Sequence, residues 1–223
     1  MSFIEQKARD VSRPTLEAVS RTLAHWNVSP DWVTNLGLIL TVGVAVLVAL
    51  GEMRWAGVAY IFAAVCDALD GTLARVSSKT SRFGAFLDST IDRFEESIVF
   101  IGLIIHYSQV GGRLEIPFVL AATVGSLMVS YTRARSEAVG VACKVGFMTR
   151  PPRVVIMIVS LILDQVLVAL IVLTATSLLT AFHRMYHVWR TTGGEQGEWA
   201  LPREPFITPG LTISGDEEQE DTP

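Results

Sequence analysis

Four apolar runs of membrane-crossing length lie along the chain, at residues 32–50, 55–74, 83–106 and 116–133. Each is near the roughly 20 residues with which a helix crosses a hydrocarbon core. A fifth run, 154–182, is interrupted only by Asp164 and Gln165, and is long for one crossing yet short for two. The basic residues decide between these. Lys7, Arg9, Arg13 and Arg21 precede the first run; Arg75, Lys79 and Arg82 follow the second. Lys144, Arg150 and Arg153 follow the fourth, and Arg184 and Arg190 follow the last. The alternate connections carry only Arg54 and Arg113. Cytoplasmic loops hold the excess of Lys and Arg, so both termini are expected in the cytoplasm and the number of crossings is even. The pattern predicts an all-α integral membrane protein of six transmembrane helices, with a tight turn near Asp164-Gln165 and a short fifth helix starting near Pro152.

The ends of the chain follow other patterns. Leu16, Val19, Leu23 and Trp26 recur at helical spacing behind Pro14, with Arg13, Arg21 and His25 around them. That fits an amphipathic helix in the cytoplasmic interface, or a small helix packed under the bundle. Beyond Arg190 the chain turns to Gly, Pro, Glu and Asp and closes on the acidic run Asp216 to Asp221. Such a segment has too little apolar area to order itself. The expected organisation is therefore an N-terminal interfacial region, 1–30, a six-span domain, 31–190, and an acidic disordered tail, 191–223.

Composition adds little that conflicts. Half of the 223 residues are hydrophobic, and one membrane domain is the default at this length. The net charge of −4 comes from the tail, and no nucleic-acid partner is expected. Cys66 and Cys143 are far apart without a C-x-x-C pattern, so neither a disulfide framework nor a zinc site is indicated. Residues 1–13 are mixed in charge and lack the apolar core of a secretory signal.

The chemistry is concentrated between Asp67 and Asp92. The stretch reads Asp67-x-x-Asp70-Gly71-x-x-Ala74-Arg75, eight residues, then Gly84-x-x-x-Asp88-x-x-x-Asp92. On helices, Asp67 shares a face with Asp70, and Asp88 shares one with Asp92. Carboxylates inside membrane spans are costly unless compensated. Four acceptor-only side chains converging from two helix ends suit hard divalent cations such as magnesium. Ala74 lies a turn beyond Asp70 and Gly84 a turn before Asp88, leaving a bare surface where a ligand can approach. Arg75 adds a fork-shaped cation suited to phosphate oxygens. A metal pair, a phosphate-binding cation and room for a ligand indicate phosphoryl chemistry. The competing reading, four aspartates that merely solvate two helix ends, does not account for the shared register with both glycines and the arginine.

The spacing D-x2-D-G-x2-A-R-x8-G-x3-D-x3-D resembles the signature of the CDP-alcohol phosphotransferase family of membrane enzymes at every defined position, and the likeness extends over about residues 30–189. The resemblance implies a six-span enzyme, a homodimer in the cell membrane, using two magnesium or manganese ions. It implies transfer from a CDP-linked lipid to an alcohol, with release of CMP. It places metals on Asp67, Asp70 and Asp88, and has Asp92 complete the metal site and act as general base. Gly71, Ala74, Arg75 and Gly84 would border the CDP-lipid. Ser29-Pro30-Asp31-x-x-Thr34 matches an opening pattern that implies Asp31 and Thr34 near the nucleotide.

The acceptor is read from a second cluster. Arg133 and Arg135 sit where the fourth span leaves the membrane, followed by Lys144, Arg150 and Arg153, with Arg184 at the end of the last span. A neutral alcohol gives no electrostatic reason for so many guanidinium groups, whereas an acceptor carrying phosphate does. Positive-inside charges or anchors for anionic lipid are the alternative. Ser130-Tyr131-Thr132-Arg133-Ala134-Arg135-Ser136-Glu137, Arg150-Pro151-Pro152-Arg153 and His183-Arg184 resemble the phosphatidylinositol phosphate synthase branch and its archaeal counterpart. That resemblance implies CDP-diacylglycerol, or an ether-lipid analogue, and inositol phosphate as substrates, with Arg133, Arg135, Arg150, Arg153 and Arg184 around the acceptor phosphate. Two positions depart from its pattern: Ser136 replaces an alanine, and Pro152 replaces the glutamate of R-P-E-R. Glycerol 3-phosphate is the alternative acceptor. A transporter, from another class, predicts internal repeats and broken mid-span helices, and the sequence has neither.

Two smaller features are left. His183 and His187 are four apart and suit either a metal or, beside Trp189 and Arg190, interfacial anchoring. Glu95 and Glu96 continue the third span past Asp92. One of them is expected to pair with an arginine such as Arg93 of a neighbour, or with a polar group between helices.

Overall fold

The structure, a computed structural model, describes residues 3–77, 81–143 and 145–193. The regular structure of these residues is helical throughout: α1 (Phe3–His25), α2 (Pro30–Ala49), α3 (Met53–Val76), α4 (Arg82–Val110), α5 (Glu115–Ala138), α6 (Arg150–Leu163) and α7 (Val166–Thr192). The last apolar run does break at Asp164-Gln165. Asp164 ends α6 in the left-handed region, at φ 57° and ψ 38°, and α7 restarts two residues later. Aspartate is one of the few residues that tolerates this conformation. Lys79 and Lys144 lie outside the described residues, and so does the expected acidic tail beyond Gly193.

Four helices, α2, α3, α5 and α7, are long and apolar enough to cross a membrane. The other two helices of the bundle differ from them for separate reasons. α4 has 29 residues, but its first half carries Asp88, Asp92, Arg93, Glu95 and Glu96. α6 has only 14 residues, a rise of about 21 Å against about 30 Å of hydrocarbon. The polar ends of α4 and α6 are turned toward each other inside the protein.

The N-terminal helix begins earlier than the Pro14 signal suggested and runs through that proline. Proline's fixed φ is helical, but inside a helix it removes one backbone hydrogen bond and its ring crowds the carbonyl one turn earlier. The helix stops at Asn27, which takes φ 55° while Val28 N–H donates to the Leu23 carbonyl and Asn27 N–H to that of Ala24. This double bond pattern around a left-handed residue is a common helix stop. α1 packs along α3 with Ser20 fully buried and Leu16 and Leu23 half-buried, while Val19 and Trp26 stay exposed.

The bundle is held by α2 against α3 and α4, α5 against α7, α3 against α6, and α4 against α5. Its apolar centre includes Val44, Val48, Tyr60, Phe100, Leu103, Val119, Met157, Leu161, Leu170 and Leu173. α2 and α4 approach closely enough that a Cβ on Gly102 would lie 2.6 Å from the Ala45 carbonyl oxygen. Only glycine fits there. Outward, the helices present Trp32, Ile39, Phe62, Phe94, Ile101, Leu120, Val155 and Val168, all exposed. An apolar exterior this extensive is a lipid-facing surface.

Candidate active site

Two helices supply the carboxylates. Asp67 and Asp70 are one turn apart near the end of α3. Asp88, Asp92 and Glu95 form a stripe on α4, at i, i+4 and i+7. Their oxygens converge in two groups, Asp67–Asp70–Asp88 and Asp67–Asp92–Glu95, each with its ligand atoms within 4.8 Å of one another. Asp67 belongs to both. Oxygen-only donor sets of this kind suit hard divalent cations, so the residues fit the metal that the sequence implies. Among the described residues, neither group that could hold a metal includes His183 or His187.

The start of α4 is fixed by Ser81, whose hydroxyl accepts a 2.8 Å bond from Gly84 N–H. This N-cap satisfies one of the free N–H groups at the start of the helix that carries the Asp88–Asp92–Glu95 stripe. Asp70 is buried and doubly held. One oxygen accepts the Thr34 hydroxyl at 2.7 Å, and the other accepts Gly71 N–H at 2.5 Å. Thr34 comes from α2 and Asp88 of the same carboxylate group from α4, so three helices meet around Asp70. Asp31, one turn earlier, is exposed. Gly71 is exposed, and a Cβ built there would meet nothing within 4 Å. Arg75 is exposed at the end of α3, with Nη2 donating to Thr72 at 3.0 Å; Ala74 beside it is half-buried.

The arginines separate into three settings. Arg150 enters the carboxylate cluster itself: Nη1 is 2.5 Å from Asp67 and 2.7 Å from Asp92, and Nη2 is 2.6 Å from Glu95. Arg153 and Arg184, expected around an acceptor phosphate, are bonded within the bundle. Arg153 pairs with both oxygens of Glu96 and also donates to the Met148 carbonyl, 3.2 Å away. Arg184 donates to the carbonyls of Val145 and Val129, tying α7 to α5 and to the loop before α6. Gly146 in that loop has φ 98°, and a Cβ there would lie 2.5 Å from Thr180, so the loop sits tight against α7. Of the five arginines expected around the acceptor, Arg133 and Arg135 are the exposed ones, with Arg133 pairing with Glu137 at 3.0 Å.

Two features of the carboxylate cluster were not anticipated from sequence: the membership of Glu95 and the entry of Arg150. Glu95 is a fifth carboxylate of the cluster, and its i+7 spacing from Asp88 was the available signal. Arg150 as its counter-cation was not predictable, because it comes from a helix more than 50 residues later. Both glutamates do pair with arginines between helices, but with Arg150 and Arg153. Arg93 instead lies 3.4 Å from Asp92 and donates to the Ser89 carbonyl.

The family model for CDP-alcohol phosphatidyltransferases matches residues 27–188, most of the chain and all of the site. The chain belongs to this family. It is a membrane-embedded transferase. Archaetidylinositol phosphate synthase of Pyrococcus horikoshii is 32% identical over 181 residues, covering 81% of this chain and 94% of that one. Phosphatidylinositol phosphate synthase of Mycolicibacterium smegmatis is 34% identical over 198 residues, covering 82% and 86%. Among solved structures, Mycobacterium tuberculosis phosphatidylinositol phosphate synthase with CDP-DAG bound superposes with a TM-score of 0.72 at 30% identity, covering 78% of this chain and 93% of that one. The same enzyme has been solved in complex with manganese and citrate, with the same TM-score and identity, covering 78% and 88%.

Proposed function

We propose that this enzyme transfers the phosphatidyl group of CDP-diacylglycerol to a hydroxyl of inositol 1-phosphate, giving phosphatidylinositol phosphate and CMP. The observation that carries the reading is the convergence of Asp67, Asp70 and Asp88 from α3 and α4. The names of the archaeal and bacterial relatives support the acceptor. The CDP-DAG complex of the mycobacterial enzyme supports the donor.

Magnesium or manganese, two ions, would be held by Asp67, Asp70, Asp88 and Asp92; the manganese complex of the relative supports this assignment. Bound there, the ions would screen the charge of the diphosphate and of the departing CMP. The chain's own groups have separate tasks. Thr34 keeps Asp70 oriented, and the open surface over Gly71, with Ala74, Gly84 and Asp31 nearby, admits the CDP moiety. Arg75 meets a phosphate oxygen. The acceptor hydroxyl oxygen attacks the lipid-side phosphorus, the bond from that phosphorus to the CMP oxygen breaks, and the hydroxyl proton passes to the Asp92 carboxylate. Arg133 and Arg135, both exposed, and Arg150 are the cations proposed for the acceptor phosphate, while Arg153 and Arg184 are bonded within the bundle.

The charge pattern supports six crossings of the cell membrane with both termini cytoplasmic. The exposed apolar residues of α4 and α6, Phe94, Ile101, Val155 and Val159, support their contact with lipid. A homodimer is the proposed assembly.

The test is product identification by mass spectrometry. Purified protein receives magnesium, CDP-diacylglycerol or its ether-lipid analogue, and equal inositol 1-phosphate and glycerol 3-phosphate. Phosphatidylinositol phosphate, or its ether analogue, is the expected main product. Phosphatidylglycerophosphate as the main product would overturn the acceptor assignment.

A further inference from the structure

Arg150 occupies oxygens that a divalent cation also requires. Its Nη1 lies 2.5 Å from Asp67 Oδ2 and 2.7 Å from Asp92 Oδ1, while Nη2 lies 2.6 Å from Glu95 Oε2. Asp67 is shared among this arginine and both carboxylate groups. A carboxylate oxygen at hydrogen-bond distance from a guanidinium has less charge to offer a second cation. The guanidinium also repels any divalent ion bound close by. The three contacts draw on carboxylates from two helices, so no single rotamer change on α3 or α4 releases the arginine.

Arg150 is also held from behind. It opens α6, where Pro151 and Pro152 stiffen the first turn, and Arg153 one turn later is anchored to Glu96 and to the Met148 carbonyl. Glu96 is further fixed by the Ser126 hydroxyl of α5. Adjacent glutamates on α4 thus grip two arginines one turn apart on α6. The second pair acts as a strut for the first.

We propose that Arg150 is an internal counter-cation that competes with the divalent ion for Asp67 and Asp92, and so sets the affinity of the site for that ion. The inference rests on the reading of the cluster as a metal centre. It goes beyond that reading by assigning to one residue the control of how tightly the metal is held. A role in folding alone predicts the opposite sign, because a disordered carboxylate cluster binds a cation more weakly.

The experiment is a manganese titration of the purified full-length protein in detergent micelles, with free ion followed by electron paramagnetic resonance. Arg150→Gln should bind manganese at least about tenfold tighter than the unsubstituted protein, the scale on which a neighbouring charge changes a carboxylate's affinity for a proton. Equal or weaker binding overturns the proposal. Should Arg150→Gln not fold, Arg150→Lys carries the test. An ammonium group cannot span three carboxylates as the planar fork does. That variant should bind manganese roughly threefold tighter or more, and equal or weaker binding again overturns the proposal. If the unsubstituted protein and both variants bind no manganese, the metal-centre reading fails and the inference with it. Binding by the unsubstituted protein that neither variant strengthens defeats the inference alone.

Discussion

Arg153 meets Glu96 in a two-point ion pair inside the helix bundle, with Nε 2.7 Å from Oε1 and Nη2 2.9 Å from Oε2. Both side chains are buried, and the Ser126 hydroxyl donates to the same carboxylate. The pair joins α4 to α6 directly behind the carboxylate cluster.

Its stability consequence is asymmetric. Glu96→Ala strands a buried guanidinium and should destabilise the protein by about 3–5 kcal/mol. Replacing both partners by apolar residues of similar size, Glu96→Leu with Arg153→Met, should recover most of that loss, since well-packed apolar pairs often match buried ion pairs. Thermal unfolding of the variants in one detergent is the measurement. A double variant no more stable than Glu96→Ala would mean that the pair does more than neutralise itself.

Thr34 makes a sharper prediction because it touches the site without being a carboxylate. Its hydroxyl donates to Asp70 at 2.7 Å. Thr34→Val keeps the shape and removes the donor, at a cost of roughly 1.5–3 kcal/mol for a hydrogen bond to a charged group. Manganese affinity should fall by about tenfold or more, following from that energy. Thr34→Ser should retain it. Equal losses in both variants would point to packing rather than to the hydrogen bond.

How much of this was legible in sequence depends on distance along the chain. Asp67 with Asp70, and Asp88 with Asp92, were readable because helical periodicity fixes which neighbours share a face. The break at Asp164-Gln165 was readable because it is the one polar interruption of a long apolar run. The N-terminal helix boundary was misplaced, because Pro14 reads as a helix start and is tolerated inside α1. The bonding partners of Arg150, Arg153 and Arg184 were not readable. Their count and sign suggested a phosphate pocket, and did not show that all three also find partners within the bundle. Periodicity says nothing about which residue of α6 meets which residue of α4.

The arginines can now be separated by kinetics. Arg133→Ala and Arg135→Ala, at exposed positions, should raise the apparent constant for the acceptor by several-fold to about tenfold while leaving that for CDP-diacylglycerol nearly unchanged. Arg184→Ala should instead lower thermal stability, because it ties α7 to the Val145 and Val129 carbonyls. Saturation curves for both substrates, alongside melting curves, distinguish the two. A selective acceptor defect in Arg184→Ala with unchanged melting would return that residue to the pocket.

For the base, Asp92→Asn should lower turnover sharply while CDP-diacylglycerol still binds, because the substitution removes proton acceptance and leaves Asp67, Asp70 and Asp88 intact. Asp70→Asn should weaken both turnover and lipid binding. Near-normal turnover in Asp92→Asn would move the base elsewhere.

The central claim is that the carboxylates of α3 and α4 form a divalent-metal centre for phosphatidyl transfer. It is tested most directly by following CMP release and lipid product together, using purified protein with CDP-diacylglycerol and inositol 1-phosphate. The protein is first stripped with chelator, then supplied with magnesium or manganese. Both products should be absent after stripping and return in equal amounts with either ion, but not in Asp70→Asn. Full product formation by the stripped protein would contradict the account.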